Sequence, residues 1–223
     1  MALASVFFWF IRKHPSENTG PQPSVRESVS EGVSYIFRTR EILGALLLDM
    51  FAVLFGGAVA MIPVFAKDIL KVGSEGFGFL NAAPDIGAML IIITLSFVPL
   101  RKNQGRILLV AVAAFGLCII GFGLSRWYWL SFFFLVLSGI VDGISVVIRG
   151  TIVQLKTPEH IRGRVLSVNS MFIMSSNELG QVESGIAAKF LGVVRSVVIG
   201  GSLTVLIALF VAKNFPRLRN MQY

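Results

Sequence analysis

Residues 129–152 read WLSFFFLVLSGIVDGISVVIRGTI. As a helix rising ~1.5 Å per residue, an apolar run of this length crosses the ~30 Å hydrocarbon core of a bilayer. The run nevertheless carries Asp142 and Arg149. They stand seven positions apart, which puts them on one helix face roughly 10 Å from each other. An ionisable side chain at the centre of a membrane helix costs at least ~2.5 kcal/mol, so each must find a partner or a water-filled cavity. The stretch therefore predicts a membrane span beside a polar interior. Two readings of the pair stay open. They are an acid and base lining a pathway, or they are an arginine that snorkels to the headgroups and an aspartate held by a neighbouring helix.

The same ruler picks out 42–66, 76–98, 107–124, 165–190 and 196–212, giving an all-α membrane protein with six transmembrane helices. The composition agrees, at 55% hydrophobic and 14% charged residues with a mean hydropathy of +0.78, against about 25% charged residues in soluble domains. A net charge of +8 raises the question of nucleic acid, but a nucleic-acid reader gathers its basic residues in a soluble patch. Here they lie between apolar runs, so no nucleic-acid partner is expected. Cys118 is the single cysteine, which excludes a disulfide framework and a cysteine zinc site. His14 and His160 are lone loop residues. With no Walker loop, His-Glu-x-x-His motif or serine elbow, the reading is not an enzyme and calls for no cofactor and no metal.

Four regions follow. Residues 1–11 are apolar but cover only about half a bilayer, and read as a partial transmembrane helix. Arg12 and Lys13 follow that run instead of preceding it, which argues against a signal peptide. Residues 12–40 form a cytoplasmic linker whose Val25, Val29, Val33 and Ile36 recur at helical spacing, predicting an amphipathic helix on the membrane surface or in solvent. Residues 41–212 are the six-helix domain, and 213–223 a cytoplasmic tail.

The intramembrane charges are unevenly spread. Asp49, Asp85, Asp142, Arg149, Glu178 and Glu183 fall on the first, second, fourth and fifth spans, while the third and sixth carry none. Each trio thus repeats the order polar, polar, apolar, which predicts a three-plus-three repeat with four helices facing a polar interior and two facing lipid. Asp49 lies about 12 Å into its helix, close to the depth of Asp142, so the two are candidates to share a cavity. On the fifth span Asn169, Ser176 and Glu183 form one row and Ser170, Asn177 and Ser184 the next. Glu178 points nearly the other way and needs a partner on another helix, Arg149 among the candidates. Gly139 and Gly143 have small-xxx-small spacing and read as packing residues.

Several strings together resemble one family. Residues 43–57, LGALLLDMFAVLFGG, are similar to the seventh helix of the enterobactin-exporter-like branch of the major facilitator superfamily. Ala82-Ala83-Pro84 with Gly87-Ala88, Gly139 with Asp142 and the string through Arg149, Thr157-Pro158-Glu159 with Arg162-Gly163-Arg164, and Ser176-Asn177-Glu178-Leu179-Gly180 fit the same branch. The loop ending in Arg101, Gly105 and Arg106 resembles the basic superfamily signature but lacks its customary acidic residue, and Asp85 stands where a small or neutral residue is expected. The resemblance implies a twelve-helix alternating-access carrier in the bacterial inner membrane, a proton-coupled exporter of a small organic molecule. This chain would supply the C-terminal half, with the N-terminal six-helix half as the missing partner. Asp49, Asp85, Asp142, Arg149, Asn177, Glu178 and Glu183 are then the substrate or proton pathway candidates. A non-transporting truncated membrane protein or accessory subunit is the alternative.

Orientation follows from the basic residues, because cytoplasmic loops hold the excess. One side collects Arg12, Lys13, Arg26, Arg38, Arg40, Arg101, Lys102, Arg106, Lys156, Arg162, Arg164, Lys213, Arg217 and Arg219, the other only Lys67, Lys71, Arg126, Lys189 and Arg195. Linker and C-terminus are expected to be cytoplasmic. Single cysteines at Asn103 and Gly73 in a Cys118→Ser background should label from opposite membrane sides. Labelling of both by an impermeant thiol reagent from one side would overturn the topology.

Overall fold

The computed structural model describes residues 24–98, 100 and 103–215. The partial helix at 1–11 and most of the tail at 213–223 lie outside them, as does Arg101. Helix α1 (Val25–Arg38) is followed by α2 (Arg40–Phe55), and then by a 3-10 turn at Ala58–Met61, a single α-turn at Ile62–Val64 and a π-turn at Phe65–Ile69. After these come α3 (Ser74–Phe97), α4 (Gln104–Leu124), α5 (Tyr128–Lys156), α6 (Glu159–Leu191) and α7 (Val193–Asn214). The helices outrun the spans read from sequence at most ends. An apolar ruler stops where polar residues begin, whereas the helical backbone hydrogen bonds continue past them.

Among the described residues, five segments are long and apolar enough to cross a membrane: Arg40–Ile69, Ser74–Phe97, Gln104–Leu124, Tyr128–Lys156 and Val193–Asn214. Helix α6, at 33 residues, has ample length, but its serine, asparagine and glutamate rows lower its hydropathy. It is held instead by protein, packing against α1, α2 and α7.

The packing repeats between trios. Exchanging α2, α3 and α4 for α5, α6 and α7 maps the main helix contacts onto one another. Thus α2 packs on α6 as α5 packs on α3, α2 touches α7 as α5 touches α4, and α4 packs on its own counterpart α7. Small residues make these approaches possible, since lipid tails supply no hydrophobic force between helices. A Cβ on Gly116 would come within 2.7 Å of the Gly201 carbonyl oxygen, and one on Gly201 within 2.8 Å of the Gly116 oxygen. On the α3–α5 seam, a Cβ on Gly139 would collide with the Pro84 carbonyl, and one on Gly87 with the Val136 carbonyl.

The core has two apolar clusters. One gathers Ile36, Ile42, Leu48, Leu108, Ile152 and Val165 at the end where α1 lies; the other gathers Ile62, Phe65, Leu80, Phe122 and Leu135 at the opposite end. Along α5, Ser138, Asp142 and Ser145 fall between Leu135 of one cluster and Ile148 of the other. A polar layer is thus sandwiched between two apolar ones. The outer faces of α4 and α7 present Val110, Leu117, Leu206, Leu209 and Phe210, as expected of lipid-facing helices.

Because the α3–α5 seam has no room for a side chain, Gly139→Leu should destabilise the folded chain by about 1–3 kcal/mol or more. Gly150→Ala, where a Cβ meets nothing within 4 Å, should change little. Thermal unfolding in detergent compares the two; equal stabilities would show that the seam is not close-packed.

Candidate functional site

Helix direction decides what Arg149 can reach. The Cα–Cβ bond tilts toward a helix's N-terminus, so on α5 the Arg149 side chain heads back toward Asp142 and the middle of the bundle, away from the Lys156 end. The snorkelling reading is therefore not what the structure shows. On α2, which runs the other way, Asp49 leans toward the same level. The two meet in an ion pair between the Arg149 guanidinium and the Asp49 carboxylate. Arg149 Nε also donates to the Ser145 carbonyl at 3.2 Å, and Nη2 lies 3.8 Å from Asp142 Oδ1.

The two carboxylates differ in access. The Asp49 side chain is 5% exposed and that of Asp142 45%. Asp142 opens into a cavity of about 240 Å³, whose lining does not include Asp49. The expectation from their similar depth, that the two are candidates to share a cavity, is corrected accordingly: they share Arg149, and of the two only Asp142 lines the cavity. The site holds two negative charges and one positive, with the surplus on the cavity side.

The cavity forms where α2 is interrupted. Gly56 ends α2 and Gly57 precedes the 3-10 turn, and both line the cavity beside Pro84, Asp85, Ser138, Gly139, Asn177 and Gln181. The break is seated by small residues of α6 and α7. A Cβ on Gly180 would come within 2.8 Å of the Val53 carbonyl oxygen, and Thr204 donates to the Ala52 carbonyl at 3.3 Å. Discontinuous helices near the membrane midplane are where transporters build binding sites. The Gly56-Gly57 pair, followed by Pro63, is the signal for this break in the sequence. Helix α4 also contributes, through Phe115 and Ile119, so it is not wholly the lipid-facing helix expected of an uncharged span.

Asp85 and Asn177 thus join Asp142 at the cavity. Glu178 and Glu183 do not: Glu178 is exposed, and no ion pair involves it among the described residues. Arg149 is not its partner, being committed to the two aspartates. Of the signature residues, Arg162 pairs with Glu159 at 3.7 Å and Arg164 with Glu31 of α1. Gly105 is buried at the start of α4, Arg106 beside it is exposed, and Gly163 faces open space. No cationic side chain lines the cavity among the described residues, and no cluster there is built to hold a metal ion.

Removing one partner of a buried pair leaves an uncompensated charge and costs about 3–5 kcal/mol. Asp49→Asn and Arg149→Gln should each destabilise the chain on that scale, while the double variant recovers at least about 1 kcal/mol relative to their sum. Chemical unfolding of the four proteins of this cycle measures the coupling, and simple additivity would exclude the pair as a structural unit.

The sequence profile of the family described as "Transmembrane secretion effector" matches residues 1–223. The chain is 22% identical over 219 residues to the uncharacterized MFS-type transporter YfmI of Bacillus subtilis (strain 168), covering 94% of this chain and 52% of that protein. It is 32% identical over 137 residues to the glucose transport protein of Synechocystis sp., covering 60% of this chain and 28% of that one. To the enterobactin exporter EntS of Escherichia coli O1:K1 / APEC it is 26% identical over 149 residues, covering 65% and 36%. The chain therefore spans about half, or less, of the length of these curated relatives. With a six-helix repeat, a cavity at a broken helix and a profile match along its whole length, the chain belongs to the transmembrane secretion effector family of major facilitator superfamily transporters.

Proposed function

We propose that this chain forms one half of a proton-coupled exporter that works by alternating access, with Asp142 as the proton-carrying group. The observation that supports this is the position of Asp142 between the cavity and Arg149. Arg149 is already neutralised by Asp49, so gain of a proton at Asp142 leaves the triad neutral and loss of it leaves one negative charge. Closing a water-filled cavity over a net charge is costly, and closing it over a neutral site is not. A proton or a substrate group that neutralises Asp142 then favours occlusion, and this links the two fluxes.

The cavity needs a second wall. Asp85, Asn177 and Gln181 line it yet remain exposed, and polar groups left facing lipid each cost on the order of 2 kcal/mol or more. A second six-helix half facing this one covers them and gives the rocking motion something to move against. Asp85 and Asp142 line the cavity and no cationic side chain does so among the described residues, which makes this half of the site suited to neutral or positively charged substrates.

In proteoliposomes containing this chain with a matching second half, Asp142→Asn should lower pH-driven export at least ~10-fold, the effect of about 1.4 kcal/mol, while the protein stays folded. Unchanged proton dependence in that variant removes Asp142 from the coupling step. Saturable transport by this chain alone would refute the need for a second half.

A further inference from the structure

Helix α1 is built into the bundle. The spacing of Val25, Val29, Val33 and Ile36 suits a helix on a membrane surface or in solvent, yet the last two pack against protein. Ile36 is 1% exposed and belongs to the same apolar cluster as Ile42 of α2 and Ile161, Val165 and Val168 of α6, with Val33 and Tyr35 packed against that cluster. One turn before Ile36, Gly32 is buried, and a Cβ there would stand 3.0 Å from both the Arg164 carbonyl oxygen and Val168 Cγ2. Any larger side chain would push α1 off α6.

Polar contacts set the register of this packing. Glu31 pairs with Arg164 of α6, and the Tyr35 hydroxyl donates to the Lys156 carbonyl at the end of α5. The Glu31 side chain is 45% exposed and that of Arg164 28%, and ion pairs this open to solvent hold little by themselves. The attachment therefore rests on the buried apolar contact.

The joint to α2 has no slack. Thr39 alone separates the two helices, its N–H donating to the Tyr35 carbonyl at 3.0 Å and its own carbonyl accepting from the Leu43 N–H at 3.0 Å. One residue thus closes α1 and opens α2, so whatever fixes α1 fixes the start of α2. Through α1 that start is tied to the end of α5 at Lys156 and to α6 at Arg164 and Val168. Further along, α2 and α5 are joined again by the Asp49–Arg149 pair. Freeing α1 would expose Ile36 and open the cluster around it, which the hydrophobic effect opposes.

Given the alternating-access reading above, we propose that α1 is a fixed strap of this half. It moves with α2, α5 and α6 as one body throughout the cycle, and it keeps the stretch of α2 before the Gly56-Gly57 break against α6. Rocking of one half against the other then leaves the α1–α6 contact unchanged.

The test replaces the Glu31–Arg164 ion pair by a covalent link. Glu31→Cys and Arg164→Cys, in a Cys118→Ser background, are joined by a short bis-methanethiosulfonate reagent in proteoliposomes that also hold a matching second half. The locked protein should export at the rate of the same protein after reduction. A roughly tenfold or greater loss that reductant restores would show that α1 must leave α6 during the cycle, and would overturn the proposal. Hydrogen exchange on the full chain in detergent decides independently of transport. A 14-residue helix is marginal on its own, whereas amides 32–38 packed on a core should exchange at least ~100-fold more slowly than unstructured ones. Near-unprotected exchange there would overturn the proposal even if transport is robust. Gly32→Leu, which lifts α1 from α6, should speed exchange in α1 and in the first turns of α2 while α4 and α7 keep theirs; unchanged exchange in α2 would show that α1 does not hold it and would overturn the strap. If the unlocked protein fails to transport while α1 is protected and α2 responds to Gly32→Leu, the strap stands and the exporter reading falls.

Discussion

The Arg149 guanidinium is the group around which the middle of this molecule is arranged. A cation at that depth is tolerable only if it is neutralised and hydrogen-bonded at once. Three groups do this together, namely Asp49 from α2, the Ser145 carbonyl of its own helix, and Asp142 two turns back along the same face. Because Asp49 alone balances its charge, Asp142 is left with freedom that a simple ion pair would deny it. The structure thus separates a charge pair, which ties α2 to α5, from a second carboxylate that lines the cavity.

That tie matters because α2 is the helix least able to hold itself together. Its backbone ladder stops at Gly56 and resumes through 3-10, α and π turns, so the two parts depend on neighbours for their relative position. The first part is anchored by Asp49 and by the apolar cluster around Leu48. The second is anchored by Ile62 and Phe65 in the other cluster. Between them the break rests on Gly180 and Thr204, and Gly56 and Gly57 at the break line the cavity. Packing glycines, the charge pair and the cavity are therefore one arrangement seen from three sides. The linker helix α1 adds a fourth constraint at the end of the bundle, through Glu31, Tyr35 and Ile36.

Much of this was legible in the residues. The lengths of the apolar runs dictate helices that cross a bilayer, because a backbone in hydrocarbon must satisfy its own hydrogen bonds. The order polar, polar, apolar, repeated once, carries the trio architecture that the packing displays. Gly139 and Gly143 announce a close seam by spacing alone, and the seam is there, against Pro84 and Ala88. These features depend on periodicity within one segment, which a linear sequence records directly.

What the sequence could not supply is every relation between segments. It marked Asp49, Asp142, Arg149 and Glu178 as charges needing partners, but pairing depends on which helices adjoin and on which way each side chain leans. Only the fold brings Asp49 to Arg149 and leaves Glu178 exposed. Likewise Gly56-Gly57 becomes a cavity wall only because α6 and α7 offer small residues opposite it, and Phe115 of an uncharged helix reaches that cavity only because α4 packs behind α2 and α5. The sequence by itself determined a membrane protein of repeated helical trios with charges that must be covered. The tertiary structure decided which charges cover one another and which is left facing the cavity, because electrostatic compensation acts over a few ångströms of space and not along the chain.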